Sequence, residues 1–236
     1  MDIVTTGPGI EMLLRWGHFM AGVAWIGLLY YFNFVQTEFF KEAEASAKTD
    51  AIKKLVPRAL WWFRWGAMAT IITGIGIMVM RGGDMSVDIY VGALLGIIMF
   101  LNVWLVIWPN QQIVIAAAEK PSKAKNAAEK TAAALGKAGL ASRTNTLFSI
   151  PMLFFMGASA HYPHSFSTLA FLICVVIIMV LAFNGAYSTI KEIAAVKGIV
   201  EKLPELGKMS YMASVKGVIH CGVGLTVVLF LVLDNL

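Results

Sequence analysis

Four histidines are the side chains of this chain best suited to holding a metal or a cofactor. They are His18, His161, His164 and His220. His18 and His220 lie inside apolar stretches, where a ligand-type side chain is costly and is a functional candidate by default. Each is followed four residues later by a glycine, Gly22 or Gly224, on the same helical face.

A glycine beside an imidazole leaves room for a flat macrocycle to approach a helix. The spacing therefore predicts that His18 and His220 are axial ligands of a haem b iron, with His161 as the substitute partner. His161 is considered because His18 and His220 lie at different depths in the membrane. At the helical rise per residue, His18 lies ~12 Å and His220 ~21 Å from the outer end of its own apolar segment. Two alternatives stay open: each histidine hydrogen-bonds a carbonyl of a neighbouring helix, or His161 and His164 form a solvent-facing metal site.

A second polar cluster brackets one long connection between apolar stretches. Asn110 and Gln111 follow one stretch, and Arg143 and Asn145 open the next. A guanidinium is the preferred partner of planar anions, so Arg143 could bind an anionic substrate. An arginine at a helix end is also a common topology anchor. This cluster is the place to look for a polar substrate or a quinone headgroup.

The elements that position these residues are membrane helices. Of the 236 residues, 58% are hydrophobic and only 14% are charged, which excludes an ordinary soluble domain. We predict an all-α, polytopic bundle forming a single transmembrane domain over residues 1–236, with a loop 111–140 that is an amphipathic segment in the cytoplasm. The six predicted spans are 10–34, 59–80, 88–108, 144–160, 166–187 and 211–234.

Charge predicts the orientation of the bundle. Of the 19 basic residues, 17 fall on one side of the predicted membrane, and only Arg15 and Arg81 fall on the other. The 17 include the basic residues of the loop 190–206. By the positive-inside rule that side is the cytoplasm, so both termini face outward across a bacterial inner membrane. Because these basic residues set topology, we exclude nucleic acid as a partner.

Three strings carry a family resemblance: RWGHFMAGVAWIG, NVWLVIWPNQQ and ASRTNTLFSIPMLFFMGASAHYP. They resemble the urate oxidase N-terminal domain family, the membrane domain of bacterial membrane-bound urate hydroxylases, over nearly the whole chain. The first string is also similar to the first helix of small haem-binding membrane protoporphyrinogen oxidases and copper-resistance proteins. A scaffold shared in this way weakens any inference from the family to the substrate.

The resemblance implies an electron-transfer oxidoreductase. In that family urate is oxidised to 5-hydroxyisourate, and the electrons pass to a cytochrome c domain outside the membrane. This sequence ends at Leu236 after the last apolar stretch and contains no CxxCH motif. We therefore expect a separate periplasmic cytochrome c as the electron acceptor.

A non-catalytic role is the alternative. The chain could be an accessory subunit of a larger membrane respiratory or oxygenase complex, since its small residues and seven tryptophans suit helix packing and interfacial anchoring. A homo-oligomer is also compatible with the sequence. In every case the bilayer is the first partner of this chain.

Overall fold

The computed structural model describes residues 2–83, 85–120, 126–190 and 214–236, and the regular structure in these ranges is entirely helical. The all-helical class predicted from the sequence is thereby confirmed for this part of the chain. A short 3-10 turn is followed by α1 (Gly7–Glu42), α2 (Ala45–Lys54), α3 (Val56–Arg81), α4 (Val87–Glu119), α5 (Ala127–His161), α6 (Thr168–Ile190) and α7 (Val215–Asn235).

Two of the long helices contain a widened π turn. It spans Tyr31–Gln36 in α1 and Asn102–Ile107 in α4. The turn in α4 comes just before Pro109, whose ring lacks an N–H and clashes with an ordinary preceding turn. Such single π turns inside α-helices are frequent at functional sites, and both of these lie at the same end of the bundle.

Local sequence sets the helix ends. The Thr6 hydroxyl accepts a hydrogen bond from the N–H of Gly9 at 3.3 Å and caps α1. Ser214 does the same for α7 through the N–H of Gly217 at 3.0 Å. Helix α3 stops at Gly82, whose φ of 61° lies in the left-handed region that glycine adopts without steric cost.

Five helices in the described part of the chain are long and apolar enough to cross a bilayer. They are α1, α3, α4, α6 and α7, so the chain is a multi-pass membrane protein. Helix α5, which contains the predicted span 144–160, is not among the five. Its polar residues Thr144, Asn145, Thr146 and Ser149 are all buried, because other helices rather than lipid cover this segment.

The helices run further than the predicted spans. Helix α4 continues to Glu119 and α5 begins at Ala127, so the described ends of the predicted loop 111–140 are helical. Residues 191–206 of the predicted basic loop 190–206 lie outside the described residues. The first residues of the predicted sixth span, from 211, also lie outside them.

Helix α5 is the centre of the bundle, with α4, α6 and α7 packed around it. Helix α1 pairs with α3 along its length, and its contacts with α5 include the hydrogen bond between the hydroxyls of Tyr30 and Ser149 at 2.9 Å. The largest fully buried side chains include Trp25, Phe63, Phe148 and Phe155. The core therefore extends through the α1–α3 pair and through the packing of α4, α6 and α7 around α5.

Glycines allow the helices to approach α5 closely. A Cβ on Gly222 of α7 would come 2.5 Å from Cδ1 of Ile150 and 3.0 Å from the carbonyl oxygen of Leu147. A Cβ on Gly185 of α6 would clash with Thr144. Small residues at such contacts are the usual means by which membrane helices gain van der Waals packing.

Gly222→Ala should destabilise the bundle, because the new methyl group meets a backbone oxygen that cannot move aside. We expect a loss of about 1–3 kcal/mol, the usual cost of overpacking. The matched control is Gly224→Ala on the same helix, where a Cβ meets nothing within 4 Å. Thermal unfolding in mild detergent measures both, and equal melting temperatures for the two variants would contradict the close contact at Gly222.

Candidate functional site

A cavity of about 300 Å³ opens at the end of the bundle that carries most of the basic side chains, here called the basic end. Its walls come from the end of α1, from α2, from the start of α3, and from the parts of α4 and α5 beyond the predicted spans. The polar residues that line it are Asn33, Gln36, Thr37, Lys41, Lys48, Gln111, Ser142 and Arg143. Its size lies at the lower limit of the ~300–1,000 Å³ typical of small-molecule sites.

The π turn of α1 supplies two of the amide side chains in this cavity. Asn33 donates to the Ser142 hydroxyl at 2.8 Å and to the carbonyl of Leu29 at 2.9 Å. Gln36 ends the same turn and faces the cavity. The widened turn therefore fixes α1 to α5 through Asn33 while directing Gln36 at the space between them.

The charge of the cavity is positive. Among the described residues that line it, three are cations and none is acidic. Lys41 is paired with Glu38 at 2.7 Å, and Lys48 lies over the ring of Phe40 at 5.8 Å. Arg143 has no carboxylate partner in the described part of the chain, so a fixed guanidinium charge faces the cavity.

Two polar atoms of the cavity residues are buried and have no hydrogen-bond partner among the described residues. One is the acceptor Oε1 of Gln36 and the other is the donor Nε of Arg143. Buried polar groups are nearly always paired, and each exception needs an explanation such as an absent ligand. A ligand that fits these two atoms donates a hydrogen bond to Gln36 and accepts one from Arg143, and the positive charge of the cavity favours an anion.

The four polar residues predicted from the sequence divide between two roles. Gln111 and Arg143 line the cavity. Asn145 is fully buried next to it, where it accepts from Asn102 at 2.8 Å and donates to the carbonyl of Met99 at 2.9 Å. Asn110 bonds to a carbonyl of its own helix at 2.7 Å. Asn145 thus joins α5 to α4 instead of facing a ligand.

Asn102→Ala should loosen this junction, because it removes the amide that satisfies the buried oxygen of Asn145. We expect the free energy of unfolding to fall by about 0.6–2 kcal/mol, as for other hydrogen bonds between membrane helices. Asn110→Ala is the matched control, since Asn110 bonds only within its own helix. Unfolding in a denaturing detergent series measures both, and an equal loss in the two variants would argue against a junction at Asn102.

His18 lies half-buried on the α1–α3 pair. Its Nδ1 is 3.1 Å from the Thr73 hydroxyl, which donates its own proton to the carbonyl of Ala69 at 2.7 Å. With the Thr73 proton on that carbonyl, Nδ1 carries the histidine proton and donates it to the hydroxyl, which leaves Nε2 with a free lone pair. Gly74 makes room for the ring, since a Cβ there would come 3.2 Å from Cε1 of His18.

His220 has the same tautomer on a different helix. Its Nδ1 donates to the carbonyl of Lys216 at 2.7 Å, and its ring is exposed on α7. The space near Gly22 and Gly224 is open, because a Cβ on either would meet nothing within 4 Å. The structure places His18 on the α1–α3 pair and His220 on a helix packed against α5 and α6, and the pairing of the two stays a prediction.

His161 is the last residue of α5 and is exposed. Its role as a substitute ligand is likewise a prediction. The four histidines therefore occupy separate places, and among the described residues no group of three or more His, Cys, Asp or Glu side chains is arranged to hold a metal ion.

Sequence reasoning missed the contribution of α1 to the cavity. Asn33 lies inside the predicted span 10–34, where a buried amide is unusual enough to have been a signal. Gln36 and Lys41 follow that span and look like ordinary solvated residues. Only the packing of α1 against α5 makes them part of a site.

The fold and the site define a multi-pass helical membrane protein with a basic cavity, free of acid among its described lining residues, at one end of its bundle. The family model for the urate oxidase N-terminal family matches residues 83–204, which include Gln111 and Arg143. Because that range is just over half of the sequence, the chain belongs to the urate oxidase N-terminal family, as its motifs suggested. Comparisons with curated proteins and with solved structures give no match.

Proposed function

We propose that this chain is the membrane part of a urate-hydroxylase-like oxidoreductase. A small, planar, anionic substrate binds in the cavity at the basic end, a haem b held by the histidines would supply one-electron chemistry, and a separate cytochrome c accepts the electrons. The observation that carries the proposal is the pair of unpartnered buried atoms, Oε1 of Gln36 and Nε of Arg143, in a cavity whose described lining has no acid.

Urate has the chemistry that this pair requires. It is a planar monoanion near neutral pH, with ring N–H donors and carbonyl acceptors on the same edges. Arg143 can hold the anionic edge through its fork of N–H groups, while Gln36 and Gln111 offer amide partners to the other edges. The aromatic rings of Phe32, Phe40 and Phe63 in the cavity walls suit a flat ring.

The proposed topology has six spans with both termini outside. Helix α5 joins the five other spans as the fourth in chain order, since it runs through the middle of the apolar helices and its buried residues Asn145 and Ser149 are hydrogen-bonded inside the bundle. The basic end is then cytoplasmic by the positive-inside rule. Substrate enters from the cytoplasm, and electrons leave toward the periplasm.

His18 and His220 each have the donor chemistry to hold a haem iron. His18 and His220 each have Nδ1 fixed by an oxygen acceptor, which leaves Nε2 unprotonated, and such a partner on the other ring nitrogen is typical of ligating histidines. Open space lies near the following glycine in both cases. His18 would hold the iron from the α1–α3 pair, with His220, or His161 in its place, as the second ligand.

Haem supplies the one-electron chemistry when it is bound. The chain's own residues bind and orient the substrate anion and hold the histidine tautomers. Oxidation of urate to 5-hydroxyisourate takes its oxygen from water and releases a pair of electrons with a pair of protons. The electrons need an acceptor, which is the separate cytochrome c.

The experiment is a reduced-minus-oxidised spectrum of the chain purified in mild detergent after expression with added haem, followed by urate oxidation with ferric cytochrome c. We expect a Soret band and urate-dependent reduction of the cytochrome. Absence of a Soret band overturns the haem assignment. A haem protein that urate never reduces, even with cytochrome c present, favours the accessory-subunit alternative.

A further inference from the structure

A polar cluster lies at the end of the bundle opposite the cavity, and it shares no residue with the cavity or with the proposed haem ligands. Asp88 lies in the first turn of α4, His164 in the connection between α5 and α6, and Asp234 in the last turn of α7. Their side chains are 0%, 6% and 42% exposed, respectively. The imidazole is thus enclosed between a buried carboxylate and one that reaches solvent.

The hydrogen bonds assign the proton on this imidazole. The Asp88 carboxylate accepts the backbone N–H of His164 at 2.8 Å, and its other oxygen is 2.8 Å from Nδ1. An ionised carboxylate can only accept, so Nδ1 carries the proton and donates it. In the neutral imidazole, Nε2 then presents a lone pair on the other side of the ring.

Nε2 of His164 is buried and has no hydrogen-bond partner in the described part of the chain. The nearest charged atom is Oδ1 of Asp234, 3.7 Å away. A lone pair facing a carboxylate oxygen is unfavourable unless a cation lies between them. This distance exceeds the ~2.7–3.2 Å of an N–H···O hydrogen bond.

The separation suits two ligands of one metal ion. A zinc ion bound at ~2.1 Å to each atom holds a nitrogen and an oxygen about 3.4 Å apart at a tetrahedral angle. Asp88 then has the role of the carboxylate that orients a ligating histidine through its other nitrogen. The rings of Tyr162 and Phe230, at 5.5 and 5.1 Å from that of His164, keep the imidazole in this orientation.

We propose that Nε2 of His164 and the carboxylate of Asp234 bind a divalent transition-metal ion of the zinc class, with Asp88 as the orienting residue. Two protein ligands leave the other positions to water, which reaches the site past the part-exposed Asp234. The ion joins α7 to the α5–α6 connection and, through Asp88, to the start of α4. This site does not depend on the function proposed above.

The test uses the full chain in mild detergent, freed of metal with a chelator and titrated with Zn²⁺ against a fluorescent zinc indicator. We expect wild type to bind one equivalent more than His164→Asn or Asp234→Asn. Asp88→Asn should weaken binding by about 10–100-fold, the usual effect of losing an orienting partner. His161→Gln is the matched control, an exposed neighbouring histidine whose loss should leave the affinity unchanged.

Asp234 is part-exposed, so Asp234→Asn keeps the test valid even where His164→Asn fails to fold. The proposal is overturned if folded wild type binds no more Zn²⁺ than Asp234→Asn, in which case a proton on Nε2 bridges the two carboxylates. It is also overturned if His161→Gln loses the ion while Asp234→Asn keeps it. An adventitious surface histidine would then be the ligand.

Discussion

Arg143→Gln should weaken urate binding by about 10–100-fold. Hydrogen bonds to a charged partner contribute about 1.5–3 kcal/mol, and each 1.4 kcal/mol is tenfold in affinity. Lys48 and Arg143 are the cavity cations without a carboxylate partner among the described residues, and of the two Arg143 has the buried, unpartnered N–H, so its loss removes the main attraction for an anion. Equilibrium binding of urate to the purified protein, read by calorimetry, measures the change.

Two further variants separate charge from geometry at this position. Arg143→Lys keeps the charge but loses the planar fork, so we expect an intermediate affinity. Lys41→Gln is the matched control, because Lys41 is already paired with Glu38 and should contribute little. An unchanged affinity in Arg143→Gln, or a larger loss in Lys41→Gln, would place the anion elsewhere.

His18→Ala should remove most of the Soret absorbance of the haem-loaded protein. The variant deletes the Nε2 lone pair that the Thr73 hydrogen bond keeps free for iron. His220→Ala should have the same effect if His220 is the second ligand. His161→Ala separates the two pairings, since it should matter only if His161 is the substitute. Unchanged spectra in both His18→Ala and His220→Ala would move the ligands to other residues.

Thr73→Val provides a milder test of the same geometry. Valine keeps the shape of threonine but cannot accept the Nδ1–H of His18, so the imidazole loses its orienting partner. We expect haem to remain bound while its reduction potential shifts. Redox titration followed at the Soret band measures the shift, and a potential equal to that of wild type would mean that His18 does not ligate the iron.

Most of the helical architecture was predictable, because apolar residues that face lipid leave a strong composition signal. The lengths of the helices were harder to predict from the sequence. Helices α4 and α5 extend into the predicted loop 111–140, since alanine-rich sequence continues a helix beyond the membrane. Pro109 follows the π turn in α4, but no such residue marks the π turn in α1, and the two turns decide where Asn33, Gln36 and Asn102 point.

Two of the four polar residues predicted for the candidate site line the cavity. Arg143 and Gln111 were predictable because guanidinium and amide groups beside an apolar stretch are conspicuous. Asn145 was also predicted, but it is satisfied by Asn102 beside the cavity and does not line it. The contact of His164 with Asp88 could not be predicted, because the two residues are distant in sequence.

By itself the sequence determined the membrane class, the helical fold and the family, since each depends on composition or on contiguous motifs. Tertiary structure decided which polar side chains share a space. Gln36 and Arg143 are more than a hundred positions apart, and only the packing of α1 against α5 turns them into an unpartnered acceptor and donor of one cavity. Contacts between distant positions depend on helix rotation and register, which local composition does not encode.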